Sequence, residues 1–161
     1  MGRREEGARR VEGGVVSRIG KDAAVGDVFD GAARKVSLER MQMFSGGPLS
    51  NVPDWPSINV HTDLEFAKAT GVPRPCASGT QYQGYMVSFM LDLFGEDWML
   101  DGTMQFKLIK LVLEDDVITT KVKVASKEEG DDGSVTYGLE IWSDNQDDEA
   151  VVTGTASATV R

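Results

Sequence analysis

The chain of 161 residues holds one histidine, His61, and one cysteine, Cys76. Histidine ordinarily titrates near neutrality, so it can take a proton from water and return it. The nearest carboxylates on its two sides are Asp54 and Asp63. Asn59 can orient the ring or a water through its amide but cannot transfer a proton itself. Ser78, Gly79 and Thr80 stand where a long apolar segment begins. A free amide at a helix start favours developing negative charge. On residue type alone, the economical reading of His61 is a residue that precedes a helix and bonds its neighbours. Asp63 then reads as an acidic first-turn residue and Asp54 as a solvated turn residue beside Pro53. Cys76 in an apolar context reads as packing.

The elements that must position these residues follow from the pattern of apolar side chains. Residues 1–24 are rich in Gly and Arg without periodicity and are expected to form a flexible tail. One domain is expected over residues 25–161. A first strand is read from residue 25 to 37, a short helix over residues 38–44 and a long loop over residues 46–56. Thr62 and Glu65 fit a capping box for a helix that stops near Gly71, with Pro73 beyond. From Gly79 to Phe94 apolar residues run nearly all the way round, which predicts a helix buried on every side. The second half alternates apolar and polar residues in four stretches, around residues 104–108, 118–124, 137–141 and 152–160. Acidic turns at 127–133 and 144–149 join the last three strands into a meander. The expected class is α+β, with an antiparallel sheet wrapped around one long helix.

Composition narrows the function. The net charge is −9, and residues 1–21 carry six of the 17 basic residues but only three of the 26 acidic ones. The remaining body is strongly acidic, so nucleic acid is not an expected partner. No apolar run is long enough to span a membrane. The opening residues lack the apolar core of a secretory signal. A single cysteine excludes an intramolecular disulfide and a zinc site built on several cysteines. It fits a reducing compartment, and a cytoplasmic protein is expected. No metal cluster, phosphate loop or dinucleotide fingerprint is present, so no metal or cofactor is expected.

The stretch NVHTDLEFAKATGVPRPCASG, residues 59–79, resembles the signature of MaoC-like (R)-specific enoyl-CoA hydratases and dehydratases. That family reads approximately Asp-x-Asn-Pro-x-His-x-Asp, a short helix, then Arg-Pro and a Gly opening the long helix. MQFKL (104–108), EDDV (114–117) and VTGTA (152–156) are similar to its later strands, so the resemblance covers about residues 25–160. It implies the hot-dog fold and addition or removal of water at the C2–C3 bond of an acyl-CoA thioester, with CoA entering only as part of the substrate. It implies His61 as general base and the Gly79 amide as oxyanion donor, with Ser78 and Thr80 beside the substrate. Lys107, Lys110 and Arg74 are implied near the CoA phosphates, and Ser88 near the site. Trp55 and Trp98 are candidates to line an acyl tunnel. The chain departs from the pattern at one position: the family's catalytic aspartate lies five residues before the histidine, where this chain has Pro56, in a loop about six residues longer. Asp54 and Asn59 are the expected replacements. Two further functions share the fold: an acyl-CoA thioesterase, and a non-catalytic acyl-CoA-binding subunit of a heteromeric dehydratase. A homodimer or higher homo-oligomer is expected, because one sheet leaves an edge strand and part of the helix uncovered.

Overall fold

Period-two alternation sets the sheet and one apolar helix fills it. The computed structural model describes residues 18–48 and 53–161. Six strands form one antiparallel sheet: β1 (Val28–Asp30), β2 (Arg34–Lys35), β3 (Thr103–Leu108), β4 (Val117–Glu129), β5 (Val135–Asp144) and β6 (Ala150–Val160). Their order is β1-β4-β5-β6-β3, with β2 also paired to β4. Four helices connect them: α1 (Leu38–Ser45), α2 (Leu64–Ala69), α3 (Gly79–Phe94) and α4 (Glu96–Asp101). Ile118, Thr120, Val122 and Val124 of β4 and Val135, Tyr137, Leu139, Ile141 and Ser143 of β5 face inward. The two polar members of this face, Thr120 and Ser143, satisfy each other through a 3.0 Å hydroxyl–hydroxyl bond. Tyr82, Tyr85, Met86, Phe89, Met90, Leu93 and Phe94 of α3 pack against it. This is the expected hot-dog architecture, with the α3 boundaries as read from the sequence.

Four details differ from the sequence expectations. First, α3 is not enclosed on every side. Thr80, Gln83 and Asp92 are exposed, and Val87 and Leu91 half-buried, because a single sheet covers only part of a cylinder. Second, the strand read over residues 25–37 is two strands. Gly31 separates them where the chain squeezes between β4 and α3: a Cβ there would lie 3.0 Å from the Thr120 carbonyl and 3.1 Å from the Phe89 ring. Third, α2 is capped by Asp63, whose Oδ1 accepts from the Phe66 amide at 2.7 Å. The Thr62 hydroxyl is used in the preceding loop, donating to the Ser57 carbonyl at 2.7 Å and accepting from the Asn59 amide at 3.0 Å. Fourth, α4 was not anticipated. It follows a break in α3 at Gly95 (φ 60°), buries Trp98, and is tied to Arg161 through Asp97 and Asp101.

The expected flexible tail lies mostly outside the described residues. Its described part packs on the domain: Ile19 and Ala23 are buried, the Ile19 amide donates to the Leu93 carbonyl at 2.8 Å, and the Tyr137 hydroxyl donates to Gly20 at 2.8 Å. Residues 18–24 of the expected tail therefore lie against the domain. Among the described residues no helix is long and apolar enough to cross a membrane.

Gly154 of β6 sits where β3 crosses closely. A Cβ there would overlap the Gln105 carbonyl and lie 2.8 Å from the Phe106 Cα, both backbone atoms that cannot swing aside. Gly154→Ala is expected to lower stability by ~1–3 kcal/mol, the usual cost of overpacking. Thermal melts report the loss, and hydrogen exchange should localise it to β3; an unchanged melting temperature would contradict this close approach.

Candidate active site

Two chain segments and the turn that carries His61 lie side by side ahead of α3. The Cys76 amide donates to the Val60 carbonyl at 3.2 Å, and Cys76 forms a β-bridge with Leu113. The Ala77 amide donates to Val112 and the Glu114 amide to Pro75, each at 2.8 Å. The Tyr82 hydroxyl, one turn into α3, accepts from the Val112 amide at 2.8 Å. Residues 75–77 are thereby clamped between the His61 loop and residues 112–114, which fixes where α3 begins.

His61 is held on this clamp. Its Nδ1 lies 2.7 Å from the Cys76 carbonyl oxygen. A carbonyl only accepts, so Nδ1 carries the proton and Nε2 keeps its lone pair as a base. The His61 amide donates to Asn59 Oδ1 at 2.8 Å. Asn59 Nδ2 in turn donates to the carbonyls of Ser45 (2.8 Å) and Ser57 (3.2 Å). Asn59 therefore orients the histidine's backbone and ties it to the end of α1.

The carbonyl that holds the ring is three residues ahead of Gly79, the first residue of α3. Ser78 is the N-cap residue but makes no side-chain cap; its hydroxyl pairs instead with that of Thr80 at 2.9 Å. Among the described residues the Gly79 and Thr80 amides have no acceptor. They form an open donor pair on the positive end of a 16-residue helix. A Cβ on Gly79 would lie 3.3 Å from Leu108 Cδ1, so the apolar end of β3 borders these amides.

The candidate carboxylates are not assembled around the ring. Asp54 is exposed and makes no hydrogen bond or ion pair among the described residues, and Asp63 is committed to capping α2. Among the described residues no carboxylate pairs with His61. The three candidate CoA cations have different surroundings. Lys110 pairs with Glu149 at 2.8 Å. Arg74 donates to the Glu114 carbonyl at 2.7 Å and lies 3.9 Å from Asp116. Lys107, without an ion pair among the described residues, borders a surface cavity of about 670 Å³ with Gln105, Thr153 and Thr155. Trp55 donates to the Gly47 carbonyl at 3.2 Å. Trp98 is buried under Gly102 beyond the far end of α3, so it does not line a tunnel at His61. Two features escaped the sequence reading. The Cys76 carbonyl left no signal, since a backbone group has no sequence signature. Gln81 was visible as a polar interruption in an apolar helix.

No protein-family model matches the chain, and no curated protein matches it. Solved structures do. A MaoC-like dehydratase from Rhodospirillum rubrum is 18% identical, with a TM-score of 0.69 over 87% of this chain and 94% of that one. The (R)-hydratase from A. caviae involved in PHA biosynthesis is also 18% identical, with a TM-score of 0.66 over 88% and 100%. The ChsH1–ChsH2 complex from Mycobacterium tuberculosis contains a chain 17% identical, with a TM-score of 0.65 over 86% and 98%. The structural neighbours of this chain are thus MaoC-like dehydratases and (R)-hydratases, and the likeness at these identities establishes the shared fold.

Cys76 does not form a reactive thiol pair with the histidine. Its Sγ is 3.8 Å from Nδ1, whose proton is directed to the carbonyl, and burial pushes the thiol above its ordinary range. A raised pKa lowers the thiolate fraction at any working pH. The native protein is expected to react with a disulfide reagent such as DTNB at pH 8 far more slowly than the urea-unfolded chain. Equal rates would show an accessible thiol.

Proposed function

We propose that this chain is a hydro-lyase that adds or removes water across the C2–C3 bond of an acyl-CoA thioester. The observation that carries the reading is the pairing of a base with open donors: His61 Nε2, left free by the Cys76 carbonyl, and the uncapped amides of Gly79 and Thr80. The imidazole takes a proton from water as the oxygen attacks C3. The amides stabilise the negative charge that gathers on the thioester oxygen. The imidazolium then returns its proton to C2, which closes the balance with one group serving as base and acid. Asn59 acts on this chemistry through the histidine's backbone, whereas Asp54 takes no part.

Crotonyl-CoA, followed for loss of enone absorbance and for free thiol, separates the functions. Hydration without thiol release is expected. His61→Ala should cut kcat by ~10²–10⁴-fold, the usual loss of a general base, with acyl-CoA affinity retained. Asn59→Ala should also lower kcat, while Asp54→Ala stays within about two-fold. Thiol release without hydration would replace this reading with a thioesterase. The absence of a described carboxylate beside His61 favours one second reading, a binding subunit of a heteromeric dehydratase. Inert wild type that still binds acyl-CoA would select it.

Self-association is part of the proposal. β3 is an edge strand, and Leu108, Ile109 and Leu111 that end and follow it are exposed. Light scattering at micromolar concentration should give a dimer or larger species, and Leu111→Lys should weaken it. A wild-type monomer would overturn this part alone.

A further inference from the structure

Helix α3 carries a polar row that the proposed chemistry does not use. Gln81, Tyr85 and Ser88 are spaced i, i+4 and i+7, so they share one face running inward from the open amides. Gln81 is fully buried, at 0% exposure. Its Nε2 donates to the Tyr85 hydroxyl at 2.8 Å, and its Oε1 has no partner among the described residues. Turning the amide end for end lets the hydroxyl donate to Oε1 but strands the NH₂ instead. Either way one buried polar position is left unfilled, and such positions are uncommon in folded proteins.

Arg34 of β2 closes the row. Its guanidinium carbon stands 5.3 Å from the Tyr85 ring centroid, and one of its nitrogens donates to Ser88 Oγ at 3.3 Å. Among the described residues no carboxylate pairs with it, in a chain with 26 acidic residues. Arg74 and Arg161 have carboxylates within reach, and Arg18 and Arg40, which have none among the described residues, are exposed, whereas Arg34 is half-buried. The row is joined to the histidine loop. Phe44 packs edge-on against Tyr85 with centroids 6.4 Å apart, and the next residue, Ser45, accepts from the Asn59 amide that holds His61.

We propose that this row binds a carboxylate at the far end of the acyl chain, so that the substrate class is a dicarboxylic acyl thioester. The proposal rests on the hydro-lyase reading for the identity of the thioester. The guanidinium, the Ser88 hydroxyl and the Gln81 NH₂ in its turned orientation are all donors, and an anionic acceptor completes them. A lone water fills the Gln81 position but leaves the half-buried cation without a counter-charge. Six residues of helix rise separate Gly79 from Tyr85, about 9 Å at ~1.5 Å per residue, which calls for a chain of medium length.

The test compares two saturated thioesters, suberyl-CoA and octanoyl-CoA, by calorimetry, which needs no turnover. Wild type is expected to bind suberyl-CoA at least ten-fold more tightly. The overall charge of −9 acts against the extra anion, so such a preference requires a local cation. Arg34→Met should abolish the preference while changing octanoyl-CoA affinity by no more than about two-fold. Gln81→Met, nearly equal in volume, should narrow it and serves in its place if Arg34→Met fails to fold. Equal affinities in wild type, or a preference that survives both substitutions, would overturn the proposal. Hydration of the matching 2-enoyl thioesters is measured alongside. If both are hydrated but bound equally, the carboxylate site fails and the lyase stands. If neither is hydrated but the Arg34-dependent preference is present, the lyase fails and the carboxylate site stands.

Discussion

Helix α3 has to be kept from water, and the rest of the molecule is arranged to do it. Seven of its apolar side chains, from Tyr82 to Phe94, lie against the inward faces of β4, β5 and β6. Burying a side chain of this size contributes ~1.5–3 kcal/mol, so this contact outweighs any single hydrogen bond in the structure. The sheet curves around the helix, Gly31 and Gly154 allow backbone to pass where no side chain fits, and residues 18–24 and α4 close the far end. The N-terminus of α3 is then fixed in space by the same packing that fixes its core.

That fixed end explains the chemistry at the site. A helix start held by packing does not need a side-chain cap, and Ser78 does not supply one. Its first amides stay open because the stability of α3 comes from elsewhere. The segment leading into the helix is locked on both sides, by Val60 and by residues 112–114, so its Cys76 carbonyl is a stable acceptor for His61. A backbone carbonyl does for the ring what a carboxylate does elsewhere: it sets the tautomer and leaves Nε2 unprotonated, without adding negative charge beside the ring.

Charge is handled differently inside the domain and on its surface. Several surface cations pair with acidic neighbours, as Lys35 does with Asp115 at 2.8 Å and Lys121 with Asp144 at 2.9 Å. Such exposed pairs contribute little to stability. Arg34 instead rests on the face of Tyr85, where the ring quadrupole compensates part of its lost hydration. Together with Gln81 it makes α3 more polar along one face than a helix serving only as core requires.

The sequence alone determined the order of elements apart from α4 and the β1–β2 break, the limits of α3 and the inward residues of β4 and β5, because these depend on periodicity that a local window carries. His61 and Gly79 were marked by the resemblance of residues 59–79 to the MaoC-like signature, since residue type alone reads His61 as a residue ahead of a helix. The carbonyl partner of His61, the engagement of Lys110 by Glu149 and of Arg74 by the Glu114 carbonyl, and the capping by Asp63 in place of Thr62 were decided only by the tertiary structure. Each turns on which of several adjacent polar groups is free once distant segments have been brought together. The Thr62 hydroxyl is taken by Ser57 and Asn59, and Asp54 is turned to solvent although it lies seven residues from the histidine. Backbone groups are the same at every position, so only the fold can say which carbonyl meets which ring, and the chain spacing that placed the histidine says nothing about its partner.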